Sequence, residues 1–339
     1  MKWLVYFVIY STMLFIPLLV VGMHTENTTD DSLLGKNNTQ AMKGFAILII
    51  MVCHMMGKFG GGITYFTPLG GIGVSIFLIL SAYGLNESSL CGGTRYWWRK
   101  RLITVFLPYC IMQSIIYWPF HRFTINSYLL DIALISPKYI YGWYLNFLLV
   151  NYIVFYLLIK CKVLTKYKIQ IMGIVSLLFL LYADSLRAEQ ALSFLLGIII
   201  SEYKNKKFIE RFLNWKIGIA LIIFSTIMLA LKQIDIIRAL PQIIFNIIQL
   251  LIKLPAAIGI CSCIIKILSK FNLRFLQLVG LISYELYLVH GNILTNVPVS
   301  LPGEIYFIIM TFALSVGLYY VIKIIKSNLR IYSNKGKSL

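Results

Sequence analysis

Apolar runs long enough to cross a lipid bilayer recur throughout this 339-residue chain, with short polar connections between them. They fall near residues 3–22, 43–58, 69–89, 102–120, 142–160, 169–183, 189–202, 216–231, 241–268, 278–296 and 304–325, eleven in all. Lipid offers backbone amides no hydrogen-bonding partner, so each run must satisfy its own N–H and C=O groups, and a lone run does so only as a helix. The expected fold is therefore all-α, a polytopic integral membrane protein. About ten core transmembrane helices fill residues 43–325, after an extra amino-terminal helix and polar linker over 1–42 and before a basic tail over 326–339. With 59% hydrophobic residues, 13% charged residues and a mean hydropathy of +0.82, an ordinary soluble domain is excluded.

The net charge of +19 invites a nucleic-acid reading, but its distribution gives topology instead. If the helix over 43–58 leaves the cytoplasm, the cytoplasmic loops and tail hold 21 Lys and Arg residues and the opposite loops six. That asymmetry fixes the orientation, with the carboxyl terminus inside. The first apolar stretch could be a signal peptide, yet that would put the linker outside and contradict the rest of the map, so an added helix is favoured. The six cysteines form no CxxC pair and have no metal-ligand spacing with histidine, so no metal site is expected. His24 in the linker and His121 in an exterior loop read as surface residues.

Four local patterns carry chemistry. In KGFAILIIMVCHMMGK, Lys43 and His54 stand eleven residues apart. That spacing is close to three full helical turns, about 16 Å of rise, so both face one side, a cation at one interface and an imidazole near mid-bilayer. Ionisable groups at such depth are costly and mark functional positions by default. GGIGVSIFLILSAYGL, residues 70–85, offers small residues for close packing and the Ser81 hydroxyl. RYWWRKRLITVFLPY, residues 95–109, groups Arg99, Lys100 and Arg101 with aromatics at a cytoplasmic interface. In LVGLISYELYLVHGNIL, residues 278–294, Ser283, Tyr287 and His290 share a helical face. A further stripe joins Asn246, Gln249 and Lys253; the lysine either lines the same polar interior or snorkels to an interface.

Together these patterns resemble the acyltransferase type 3 family, integral membrane enzymes that acylate polysaccharides, lipopolysaccharide, peptidoglycan and other extracytoplasmic sugars. The resemblance covers about residues 42–325. Lys43 stands at a family arginine and His54 at the family's catalytic histidine. Gly73, Val74, Phe77 and Ser81 resemble the G-V-D-x-F-F-x-x-S-G motif, with Ser75 at its aspartate. Arg101, Thr104 and Pro108 resemble R-x-x-R and its proline, the second arginine missing. Ser283, Tyr284, Tyr287 and His290 match S-Y-x-x-Y-x-x-H in full, and Trp143 and Tyr144 resemble the aromatic pair that opens another helix.

The resemblance implies an acyl-CoA donor, acetyl-CoA foremost, bound near Lys43, Arg99, Lys100 and Arg101, and a polysaccharide or lipid-linked sugar acceptor. It implies His54 and His290 as the catalytic residues, His54 as general base or transient acyl carrier, with Tyr287, Ser283 and Ser81 in support of substrate or oxyanion; Lys253 joins that support from its stripe alone. No permanently bound cofactor is expected. Expected surroundings are membrane lipid and polysaccharide-biosynthesis proteins in a bacterial cytoplasmic membrane. A transporter or exporter of a polysaccharide or lipid-linked sugar, using the same polar residues without acyl chemistry, is the alternative from a different class. The orientation predicts that a carboxyl-terminal green fluorescent protein fusion fluoresces while an alkaline phosphatase fusion at the same point is inactive; the reverse pair of readings would invert the topology.

Overall fold

A computed structural model of the chain describes residues 2–20, 34–61, 66–92, 97–117 and 124–335. The linker around His24, Arg95 and His121 lie outside the described residues. Among the described residues 85% are helical and no strand occurs. In chain order the helices are α1 (Lys2–Val20), α2 (Lys36–Lys58), α3 (Thr67–Gly92), α4 (Trp97–Arg101), α5 (Leu107–Met112) and α6 (Ile125–Ile132). Wide π turns, Leu102–Phe106 and Gln113–Tyr117, flank α5. Then come α7 (Gly142–Lys160), α8 (Lys162–Thr165), α9 (Lys168–Tyr182), α10 (Ser185–Ala188), α11 (Ala191–Glu202), α12 (Lys207–Phe212) and α13 (Trp215–Leu231). The chain ends with α14 (Asp235–Arg238), α15 (Gln242–Leu268), α16 (Arg274–Leu281), α17 (Ser283–Asn296) and α18 (Leu301–Lys335). Five of these, α2, α3, α7, α15 and α18, are long and apolar enough to cross a bilayer, while α1, α9 and α13 are shorter apolar helices.

The chain divides into two compact units, one of residues 1–93 and 147–281, the other of residues 94–146 and 282–339. At the centre of the first unit, every residue of α2 from Ala46 to Cys53 is buried, as expected of a helix enclosed on all sides. Apolar side chains gain nothing by leaving lipid for one another, so close backbone approach must hold such helices together. Glycine provides it. A β-carbon on Gly44 would stand 2.0 Å from the Leu276 carbonyl oxygen, and one on Gly280 would stand 1.9 Å from that of Gln40, so α2 and α16 touch main chain to main chain. On another side of α2, Gly73 of α3 rests on Ile50 and the Ala46 carbonyl. Gly218 of α13 and Gly259 of α15 meet in the same manner.

Helix α1 packs antiparallel to α2. Phe15 lies against Phe45, Tyr10 against Phe59 and Phe7 against Phe66, at ring separations of 5.6, 6.5 and 4.5 Å. Its remaining face, with Leu4, Val5, Val8 and Ile9, is exposed, as are Ile219, Ile223 and Ile227 of α13 and Ile305 and Ile309 of α18. Faces this apolar suit lipid, not water.

One expected element is corrected. The single helix expected over 278–296 breaks at Ile282, whose φ of −105° and ψ of 12° leave the helical range. Gly280, seated on the Gln40 carbonyl, commits α16 to α2 in the first unit. The chain then restarts as α17 in the second unit.

The close crossing predicts that Gly280→Val, which would drive a branched side chain into backbone, lowers the melting temperature of the detergent-extracted protein or abolishes its extraction. Overpacking of this kind costs about 1–3 kcal/mol or more. Gly57→Ala, where an added methyl meets no atom within 4 Å, leaves the melting temperature no lower than wild type.

Candidate functional site

In the first unit His54 sits four residues before the end of α2, about 6 Å of rise from its last residue. The helix expected to begin at residue 43 is corrected at its start, because α2 begins at Lys36, seven residues ahead of Lys43. Its imidazole faces the start of α3. A β-carbon on Gly70 would lie 3.0 Å from Cys53 Sγ and 4.0 Å from His54 Nε2, so only glycine leaves that space open.

The next residue is equally constrained. A β-carbon on Gly71 would lie 2.4 Å from Lys253 Cε and 3.0 Å from its Nζ, so the lysine from α15 stretches across a bare backbone position. Its ammonium pairs with Glu189, and the two side chains are only 6% and 8% exposed. Removing one partner of such a pair strands a buried charge, at about 3–5 kcal/mol. Gln190, the neighbour of Glu189, fixes the same ground from below. Its amide donates to the Gly71 carbonyl at 3.0 Å, and its oxygen accepts from Ser75 at 2.6 Å and Ser193 at 3.3 Å. The start of α11 therefore grips α3 through Gln190 and α15 through Glu189. Along α15 the polar face continues outward. Gln242 donates to Asn246 and to Ser185, both at 2.9 Å, while Gln249 Oε1 is buried with no hydrogen-bond partner among the described residues.

In the second unit His290 is fully buried and its Nδ1 lies 2.9 Å from the Leu286 carbonyl. The Tyr141 ring stacks on the imidazole, centroids 5.0 Å apart and planes within 3°. Tyr287 donates to the Tyr141 carbonyl at 2.8 Å, and Tyr139 donates to the Tyr287 carbonyl. Tyr144 meets Tyr287 edge-on at 5.1 Å. Gly291 makes room for the pile, because a β-carbon there would fall 2.7 Å from the Tyr139 hydroxyl. Burial, with the nearby Tyr141 phenol, holds the Tyr139 hydroxyl well above its ordinary pKa, so it stays a neutral donor. The loop carrying Tyr139 and Tyr141 is anchored by Asp131, whose carboxylate accepts from Tyr109 and Gln113 at 2.6 Å and from the Lys138 N–H at 2.8 Å.

The structure sorts the residues singled out from sequence. It brings His54 and Lys253 to adjacent glycines and draws in Glu189, Gln190 and Ser75, of which only Ser75 belonged to an expected motif. Ser81 is not among them. It lies eleven residues along α3 from Gly70, about 16 Å away in rise and level with Lys43 in the antiparallel register. His290 and Tyr287 sit together in the aromatic pile, with Ser283 buried at the start of α17. Arg99 and Lys100 are exposed, and the Arg101 guanidinium lies 5.2 Å from the Trp97 ring. Thr104, at the missing arginine's place, donates to the Lys100 carbonyl at 2.7 Å. Tyr284 donates to the Val105 carbonyl at 2.7 Å, joining the third and fourth patterns at the π turn before Pro108. No group of His, Cys, Asp or Glu able to hold a metal exists among the described residues.

Buried ionisable groups inside lipid-facing helices define the class, a polytopic membrane protein whose polar chemistry lies within its helices. Residues 37–330 match the acyltransferase type 3 family model, described as an acyltransferase domain. The chain belongs to that family and is a membrane acyltransferase. No curated protein and no solved structure matches it.

The aromatic pile predicts a selective effect of Tyr287→Phe, which keeps every ring contact but leaves the Tyr141 carbonyl without its donor. A loss of about 1 kcal/mol of stability is expected, read as a shift in thermal or denaturant midpoint in detergent. A midpoint identical to wild type would show that the hydroxyl contributes nothing.

Proposed function

We propose that the protein is an O-acetyltransferase of the bacterial cytoplasmic membrane that moves an acetyl group from cytoplasmic acetyl-CoA to a hydroxyl of a cell-surface or exported polysaccharide. The observation that carries this reading is the placement of His54 Nε2 over the bare Gly70 backbone, beside the Lys253 ammonium over Gly71, in a member of an acyltransferase family.

In this reading His54 takes the proton of the acceptor hydroxyl as that oxygen attacks the thioester carbonyl. A new C–O bond forms, the C–S bond breaks, and the coenzyme A thiolate leaves with the proton returned by the imidazole. Transient acetylation of His54 is the variant in which the imidazole itself attacks. Lys43, on the same face of α2 about 16 Å below, has the charge to draw an anionic donor toward that end of the helix. A lysine lacks the bidentate fork of the arginine it replaces, so it serves as a point charge. Arg99, Lys100 and Arg101 are proposed as further donor contacts, and His290 and Ser283 as supporting groups, on residue type and motif position. The unpartnered Gln249 oxygen is suited to receive a sugar hydroxyl.

The test is transfer of radiolabelled acetyl groups from acetyl-CoA into surface polysaccharide, in membranes holding wild type or His54→Ala at matched expression. Label incorporated by wild type and reduced at least a hundredfold in the variant is the expected result. Transfer unaffected by the substitution would remove His54 from the chemistry, and its absence from wild type would favour an exporter without acyl chemistry.

A further inference from the structure

The Lys253–Glu189 pair is an expensive way to pack three helices. Apolar residues of similar volume would fill the same space without the desolvation cost of two charges. The other ion pairs among the described residues avoid that cost. Lys168–Glu202, Arg187–Asp184 and Lys204–Glu87 each keep one side chain at 31% exposure or more, whereas neither Lys253 nor Glu189 reaches 10%. The ammonium is also held in one place. Glu189 draws its tip, Gly71 leaves room for its stem, and Gln190 pins the Gly71 carbonyl from α11. The imidazole of His54 faces the neighbouring glycine. A base and a fixed positive charge thus occupy successive bare positions of one helix start.

We propose that Lys253 is the electropositive group of the acyl-transfer site, stabilising the charge that develops on the thioester carbonyl oxygen, and that Glu189 and Gln190 are positioning residues that hold it at Gly71, the position next to the glycine that His54 faces. The proposal rests on His54 acting as base. As the acceptor oxygen bonds to the carbonyl carbon, the carbonyl electron pair moves to oxygen beside the ammonium. Its return expels the coenzyme A thiolate, which takes its proton from His54, while Lys253 keeps its own throughout. A preformed cation in a site closed to water stabilises such a charge far more than the same group would in solvent.

The deciding experiment compares Lys253→Met, Lys253→Arg and the double variant Lys253→Met/Glu189→Gln with wild type. It measures both release of coenzyme A from acetyl-CoA and label entering surface polysaccharide. The double variant removes both charges, so no buried charge is stranded, and it is expected to be extracted as the same monodisperse species as wild type. Its kcat is expected to fall at least a hundredfold with KM for acetyl-CoA unchanged, while Lys253→Arg stays within about tenfold of wild type. A double variant that transfers at the wild-type rate overturns the role of Lys253 and leaves a packing pair. Glu189→Asp, which keeps the charge and draws the ammonium back by one methylene, is expected to lower kcat about tenfold, and a wild-type kcat there overturns the role of Glu189 even if the double variant fails to fold. Wild-type protein that neither cleaves acetyl-CoA nor transfers label overturns the acetyl-CoA reading itself, an outcome distinct from either of these.

Discussion

Main chain touching main chain is the contact on which the first unit depends. In lipid an apolar side chain has no water to escape, and helices cohere through dispersion and weak polar contacts that require the backbones to come near. Gly44 and Gly280 give α2 and α16 that approach, and Gly73 brings α3 onto another side of α2. Once α2 is locked between these neighbours, the direction of His54 is no longer free. The same small-residue stretch at the start of α3 lets the Cys53 and Lys253 side chains lie against the backbone at Gly70 and Gly71, so close packing and the candidate site share one segment of sequence.

Polar groups inside the helices follow the opposite rule, because each must find a partner where it stands. Gln190 uses its amide on α3 and within α11, and Asp131 accepts three donors from two elements and its own loop. These residues staple helices together, and they also exclude slippage, since a shift of one residue along any helix would strand several buried groups at once.

Much of this was legible in the sequence, and for identifiable reasons. Hydropathy alone located the long helices, since a run of twenty apolar residues has few other solutions. The eleven-residue spacing of Lys43 and His54 correctly placed both on one helix face. What failed were boundaries and partners. Lys36 to Met42 reads as polar linker but continues α2. The break at Ile282 has no proline or glycine at the break itself; it comes two residues after Gly280, which is seated on Gln40 in a contact between distant segments. Ser81 looked like the useful hydroxyl of α3, yet Ser75 reaches the cluster. Glu189 and Gln190 were overlooked because they precede an ordinary apolar run and match no motif. The available signal was a carboxylate beside a membrane helix in a chain with only 12 acidic residues. Tyr139 and Tyr141 lay in a loop whose aromatic content reads equally well as an interfacial belt.

Helix α18 carries a ruler. Between Glu304 in its first turn and Lys323 no charged residue occurs, an interval of nineteen residues. At the helical rise that interval measures about 28 Å, close to the thickness of a hydrocarbon core. That length spans the core and leaves one charge at either edge. A thicker bilayer would pull one of them into hydrocarbon or be thinned around the protein, so the ends of α18 tie the chain to membranes of a particular depth.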